Sequence, residues 1–525
     1  MGEANGSAAA AAVRVLAVSR VSPAPAPATT DAGGEEGHGR LIKLSFFDTP
    51  WVVLPPIQRV FLYDLPTGDD AFPAAVRRLK DALAATLALY LPLAGKLTYV
   101  SETGDVVVDC TDVDDLGVAF VEAEASSNGS SAAMDVRRLA GDEAHDIPAF
   151  LALVPALDTR ELPAHVLSVQ ATRLTGGLAL GVSVHHAVAD GQAVWRFVSA
   201  WAAAAREGSP VIENLAPPHY DRKVVQIPNG DVFARELLKR IAPNLPVSRT
   251  HAAQHTAQPV SAVNALLTEP HSIRVQANNG TEFDFSQRFR LGRRTFYLTT
   301  DDIQSLKRGI NTLASAADED AIITTTTPRT KKKKPVSTFV ALAALGWTAF
   351  VNAKSLTAGD DTYLVFLADL RTRLDPPVAD GYLGNCIKAC LATADAGDLA
   401  VAGDDERGLV AACRAIQAAV EEMEEAPMAG SEQWLQKMMT LPYQRLCNVA
   451  ASPRFRVYEA SDFGFGRPAR VELVSMNHDG EMVLVGGREE GEVQVSVSLD
   501  PARMEVFKKH VLAGRRSGAA GDGRS

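Results

Sequence analysis

The stretch HVLSVQATRLTGGLALGVSVHHAVADGQAVWRFVSAW (165–201) constrains this chain more than any other. Residues 165–184 alternate apolar with polar or small residues around a central Gly-Gly pair, the pattern of two antiparallel strands joined by a tight turn. GQAVWRFVSAWAAAAREG then repeats apolar residues at three- and four-residue steps and ends at a glycine, as an amphipathic helix does. His185 and His186 stand between strand and helix, with Asp190 and Gly191 just after them. The chain has only 11 histidines in 525 residues, so an adjacent pair at a strand end requires explanation.

The remainder of the sequence alternates strand-like and helix-like segments. FPAAVRRLKDALAATLALYLPLAG reads as a helix, and KLTYV, DVVVDC and GVAFVEAEA as strands. In the second half, RRTFYLTT and TYLVFLADL read as strands, and TDDIQSLKRGINTL, STFVALAALGWTAFVNAK and 406–425 as helices. Strands return at FRVYEA, ARVELVSMN, GEMVLVGG and EVQVSVSL. Such interspersion predicts an α/β protein with two similar-sized domains. The expected division is 1–215 for the N-terminal domain, a Pro-rich crossover linker at 216–235, 236–512 for the C-terminal domain and a disordered tail at 513–525. The Pro/Ala/Gly-rich 23–40 reads as a mobile loop.

Composition narrows the classes of function. A net charge of −11 argues against a nucleic-acid or anionic-membrane surface, although Lys331 to Lys334 form a local basic run that reads as a solvated loop. No stretch of about 18 apolar residues suggests a membrane span. Five cysteines without a CxxC pair suggest neither a disulfide framework nor a zinc ribbon, and fit a reducing, cytoplasmic compartment.

A strand that delivers His186 into a loop puts an imidazole at the edge of a sheet. In its neutral form the ring can take a proton from a hydroxyl or amine attacking a carbonyl. Asp190 has the reach to fix the turn, and Gly191 permits a sharp entry into the helix. No GxSxG elbow occurs, so direct transfer is favoured over a covalent enzyme intermediate. The alternatives are a pair of ordinary polar residues at a strand end, or a metal site for which no third ligand is evident.

Three signatures make the sequence resemble the plant BAHD acyltransferases, which move acyl groups from coenzyme A thioesters to alcohols and amines. They are HHAVADG (185–191), DLRTRLDPPVADGYLGNC (369–386) and DFGFG (462–466). Together with LSFFDTPWVVLPPIQRVFLYDLP and APPHYDR, they are most similar to the branch that acylates anthocyanins, flavonoids and phenolic glucosides. The resemblance implies two chloramphenicol-acetyltransferase-like domains with a channel between them. It implies that His186 is the general base and that Asp190 holds the loop by pairing with Arg371. Asp462, Gly464 and Gly466 would support the site, and Ser337 and Thr338 would border the donor channel. Acyl-CoA, with malonyl-CoA favoured, would be a co-substrate, and the acceptor a small phenolic. No metal, permanently bound cofactor, nucleic acid or second subunit is expected. A malonyl donor needs a cation for its free carboxylate, for which Arg196 and Arg293 are candidates. Phe465 and Leu383 replace a tryptophan and a phenylalanine usual in the family. The competing readings are a hydroxycinnamoyl- or acetyl-CoA-dependent enzyme, a carrier-protein condensation domain, and a non-catalytic relative.

Overall fold

A computed structural model describes residues 13–25, 40–66, 68–125, 134–141, 144–213, 215–225, 227–248, 274–276, 282–284, 290–324, 335–400, 407–476 and 478–517. The basic run Lys331–Lys334, nearly all of the proline-rich loop and the end of the tail lie outside them.

The chain forms two compact units, and packing rather than chain order decides which segment joins which. The first draws on 1–289, 378–385 and 458–475, the second on 290–377, 386–457 and 476–525. The division therefore differs from the expected one. The Tyr382–Asn385 and DFGFG segments belong to the first unit, and the 216–235 stretch is part of that unit rather than a free linker. No local pattern tells a strand which of two sheets it will join.

In chain order the first unit contains β1 (Val13–Val21), β2 (Leu41–Lys43), β3 (Ile57–Asp64), β4 (Lys96–Val100), β5 (Asp105–Asp109) and β6 (Val118–Ala125). It continues with β7 (Ala164–His165), β8 (Leu167–Leu174), β9 (Gly177–Val184) and a short ribbon of β10 (Arg274–Gln276) with β11 (Glu282–Asp284). The second unit holds β12 (Gly292–Leu298), β13 (Asp361–Asp369), β14 (Ile387–Asp395) and β15 (Leu446–Ala451). β16 (Arg470–Leu473) returns to the first unit, and β17 (Glu481–Gly486) and β18 (Val493–Leu499) complete the second.

One six-stranded sheet runs β1-β6-β8-β9-β3-β16, and a four-stranded sheet runs β2-β5-β4-β7. β3 is buried along almost its whole length because both faces of its sheet are covered. Val60 and Leu62 pack with Leu139, Phe150 and Leu153 on one face. Phe61 and Tyr63, pointing the opposite way, meet Trp195 and Phe463. The β8–β9 hairpin turns at Thr175 and Gly176, with Gly176 at φ 77°, not at the Gly-Gly pair. Gly177 already belongs to β9, where a Cβ would lie 1.9 Å from the Tyr63 carbonyl oxygen of the neighbouring strand.

The second unit's sheet runs β12-β18-β17-β15-β13-β14. Against it packs the helix Thr338–Lys354, apolar all round and buried over most of its length, as an internal helix should be. FRVYEA, read as a strand, instead contains the short helix Val457–Ala460, whereas the unheralded LCNVAA forms β15. Six alternating residues do not separate a strand from one helical turn.

Candidate active site

β9 ends at Val184, and the next residues turn sharply. The His185 amide donates to Val166 O at 2.8 Å, the last tie to the sheet. The Val188 amide donates to His185 O at 3.0 Å and closes the turn. His185 is fully buried, and its Nδ1 accepts the Ala187 amide at 3.2 Å, so this first histidine holds the loop. Asp190, also fully buried, caps the helix Gly191–Glu207: its Oδ1 accepts the Ala193 amide at 3.0 Å.

His186 sits between these fixed points and keeps part of its surface exposed. Its ring lies flat on the Trp51 indole, with centroids 3.7 Å apart and planes 8° from parallel. Nδ1 is enclosed without a hydrogen-bond partner among the described residues, which leaves Nε2 as the nitrogen available to a substrate. Burial pulls the pKa of the ring down to about 4, against the opposing influence of Asp190, Asn385 and Asp48. The imidazole is therefore neutral at physiological pH and able to accept a proton.

Three residues not singled out in the sequence hold this loop in place. Asp48 is fully buried beside the 3₁₀ turn Thr49–Val52 that carries Trp51. Its Oδ1 accepts both the main-chain and the side-chain N–H of Asn385 at 2.9 Å, and its Oδ2 accepts the Ser45 amide at 2.8 Å. Asn385 donates a second side-chain N–H to the His186 carbonyl oxygen at 2.8 Å. Arg222 forms an ion pair from Nε to Asp48 Oδ2 at 2.9 Å and donates to the carbonyls of Val188, at 3.1 Å, and Leu383. Four segments distant in sequence (45–52, 185–190, 219–222 and 382–385) thus close around one imidazole, all within the first unit. Gly384 is required where it stands, since a Cβ there would come within 2.6 Å of Arg222 Nη1. Each of these residues lies in a stretch that carried the family resemblance. For Asp48 and Asn385 a lone charged or amide residue inside an apolar stretch was the available signal; Arg222, next to Asp221, offered none.

The other expected site residues are placed as follows. Arg371, almost fully buried in the second unit, pairs with Asp369 at 3.1 Å. Ser337 caps the helix Thr338–Lys354 by accepting the Val340 amide at 3.2 Å, with Thr338 opening the helix. Arg196 donates to Ala216 O at 2.9 Å, and buried Arg293 donates to Met476 O. Asp462 Oδ1 accepts the amides of Gly464 and Gly466, at 2.8 and 3.1 Å, and both glycines have positive φ, 86° and 84°. That loop is tied down by Arg78, donating to Gly464 O, and by Arg206, donating to Asp462 O. Arg206 is sixteen positions beyond Asp190, about 24 Å along the helix axis. DFGFG thus anchors the far end of the helix whose N-terminus carries the site. Among the described residues no cluster of three or more His, Cys, Asp or Glu is placed to hold a metal ion.

The arrangement presents a half-buried, neutral imidazole able to accept a proton. A model of the Transferase family matches residues 35–513. Malonyl-CoA:anthocyanidin 5-O-glucoside-6''-O-malonyltransferase of Arabidopsis thaliana is 29% identical over 94% of this chain and 97% of its own length. Phenolic glucoside malonyltransferase 1 of the same plant is 27% identical over 94% and 96%. Among solved structures, vinorine synthase superposes with a TM-score of 0.60 at 19% identity, covering 95% of this chain and 98% of that one, a likeness of fold. The chain belongs to the Transferase family, the BAHD acyltransferases, and is an acyltransferase that uses acyl-CoA as co-substrate.

Proposed function

We propose that the protein transfers a malonyl group from coenzyme A to a hydroxyl of a phenolic or flavonoid glycoside, with His186 as general base. The observation that carries the base assignment is the neutral His186 ring, stacked on Trp51 and clamped through Asn385 and Asp48. The names of relatives matched over nearly the full chain support the donor and the acceptor.

In this reading His186 Nε2 takes the acceptor's proton as its oxygen attacks the thioester carbon. The imidazolium then returns the proton to the departing thiolate, so the ring ends neutral and no acyl-enzyme forms. Asp190, proposed as a positioning residue, fixes where the ring stands through the helix cap. Stacking on Trp51 and the hydrogen bond to the His186 carbonyl remove rotational freedom before the substrates arrive, which lowers the entropy cost of reaction. All five cysteines are buried and unbridged, which supports a reducing, cytoplasmic setting.

The test is a donor panel. Purified protein is incubated with malonyl-, acetyl- or coumaroyl-CoA and a set of phenolic glucosides, and free thiol and product mass are followed. Malonylated glucoside formed faster than any other product is the expected result. Exclusive coumaroyl transfer, or no turnover with any pair, would refute the proposal.

A further inference from the structure

Outside the His186 cluster, the first unit buries a cation whose charge has no direct counterpart. Arg59 lies on β3, keeps only 5% of its surface and stacks on Trp195, with its guanidinium carbon 4.7 Å from the ring centroid. Its Nε meets no hydrogen-bond acceptor among the described residues, and neither does the adjacent Trp195 Nε1, on a residue that is 6% exposed. Burial pulls the Arg59 pKa down to about 10, opposed by Glu472, so the side chain stays cationic at neutral pH. Glu472 cannot serve as a direct partner. It is paired with Arg470 at 2.8 Å, and it stands opposite Val60 in the β3–β16 register, hence on the other face of the sheet from Arg59. Two enclosed donors side by side, one of them charged and neither with an acceptor, form an incomplete site. Buried polar groups are normally satisfied, and a buried charge without a partner is costly.

We infer that Arg59 and Trp195 Nε1–H together receive the free carboxylate of a dicarboxylic acyl donor. Arg59 faces Val182 on β9, four residues before His186, and Trp195 is five residues past the helix cap at Asp190, about 7.5 Å along the axis. One donor therefore sits on the helix that follows the base, and the other on β3, the strand paired with the one that precedes it. A planar guanidinium forks to the two oxygens of a carboxylate, and the indole N–H of the ring beneath it adds a further donor. Arg196 and Arg293 already donate to main-chain carbonyls. The inference rests on the proposed malonyl chemistry and names the residues that would select for it.

The experiment compares kcat/KM for malonyl-CoA and acetyl-CoA with one phenolic glucoside in wild type, Arg59→Met and Trp195→Phe. Arg59→Met keeps a flexible apolar chain over the indole, and Trp195→Phe removes the N–H while keeping a ring. Losing a hydrogen bond to a charged group predicts a malonyl-CoA loss of roughly 10- to 100-fold in Arg59→Met. The neutral donor in Trp195→Phe predicts about 2- to 10-fold. Acetyl-CoA turnover stays within about threefold in both, since an acetyl group offers nothing to bind. Should Arg59→Met give no soluble protein, Trp195→Phe decides alone. An equal fall with both donors, or a malonyl preference that survives both substitutions, overturns this inference and leaves the malonyl reading standing. A wild-type enzyme that uses acetyl-CoA and ignores malonyl-CoA overturns both.

Discussion

The Trp51 indole covers one face of the His186 imidazole at 3.7 Å between ring centroids, nearly parallel. This contact links two segments more than a hundred residues apart, and it both fixes and dries the ring. Removing the indole therefore has two consequences that can be measured separately. In Trp51→Ala the imidazole gains rotational freedom, and kcat is expected to fall by about tenfold or more. Water also reaches the ring, so its pKa rises from about 4 toward the ordinary 6.5. A kcat/KM profile against pH then shows its acid limb moving upward, with a greater loss at pH 5.5 than at pH 8.

The low pKa of His186 makes a second, independent claim about folding. The unfolded chain binds a proton at this residue below about pH 6.5, whereas the folded chain resists until about pH 4. The contribution to stability is thus complete above pH 6.5 and is lost as the pH falls from 6.5 to 4. The melting temperature of wild type should fall relative to that of His186→Gln as the pH drops through this window, because the substituted protein has no such proton to take up.

Asp48 is expected to matter more for stability than for substrate binding. Asp48→Ala strands the Arg222 guanidinium without its counter-charge and deprives Asn385 of an acceptor. Breaking a buried pair from one side costs about 3–5 kcal/mol, to be read from denaturant unfolding. Any folded protein that remains should lose kcat rather than KM, since the clamp on the His186 carbonyl is what weakens.

Phe465 stands in place of the indole usual in the family, and its ring packs edge-on against Tyr63 at 5.6 Å with Arg78 above it. It belongs to the loop docked at the far end of the helix from Asp190. Phe465→Trp should accordingly leave kcat/KM within about threefold and show itself, if anywhere, in the melting temperature.

His186 and Asp190 were legible in the sequence because they are neighbours, and because a strand must end and a helix must be capped where they stand. The clamp was not. Asp48 and Asn385 are 337 positions apart, and only the closure of four segments reveals that they share a hydrogen bond. Arg59 was hidden for a related reason: inside a strand it reads as an outward-facing residue, until the helix Gly191–Glu207 is seen to cover that face. The hairpin and the long helices followed from period and capping. The short helix at Val457–Ala460 did not, because one turn is too brief to show a period.

The central claim is that the His186 imidazole is the base. Its direct test is the turnover of malonyl-CoA with a phenolic glucoside by His186→Ala, compared with wild type at pH 7.5 after circular dichroism has established equal folding. A loss of about two to four orders of magnitude in kcat is predicted. Turnover equal to that of wild type in a folded His186→Ala protein would contradict the account.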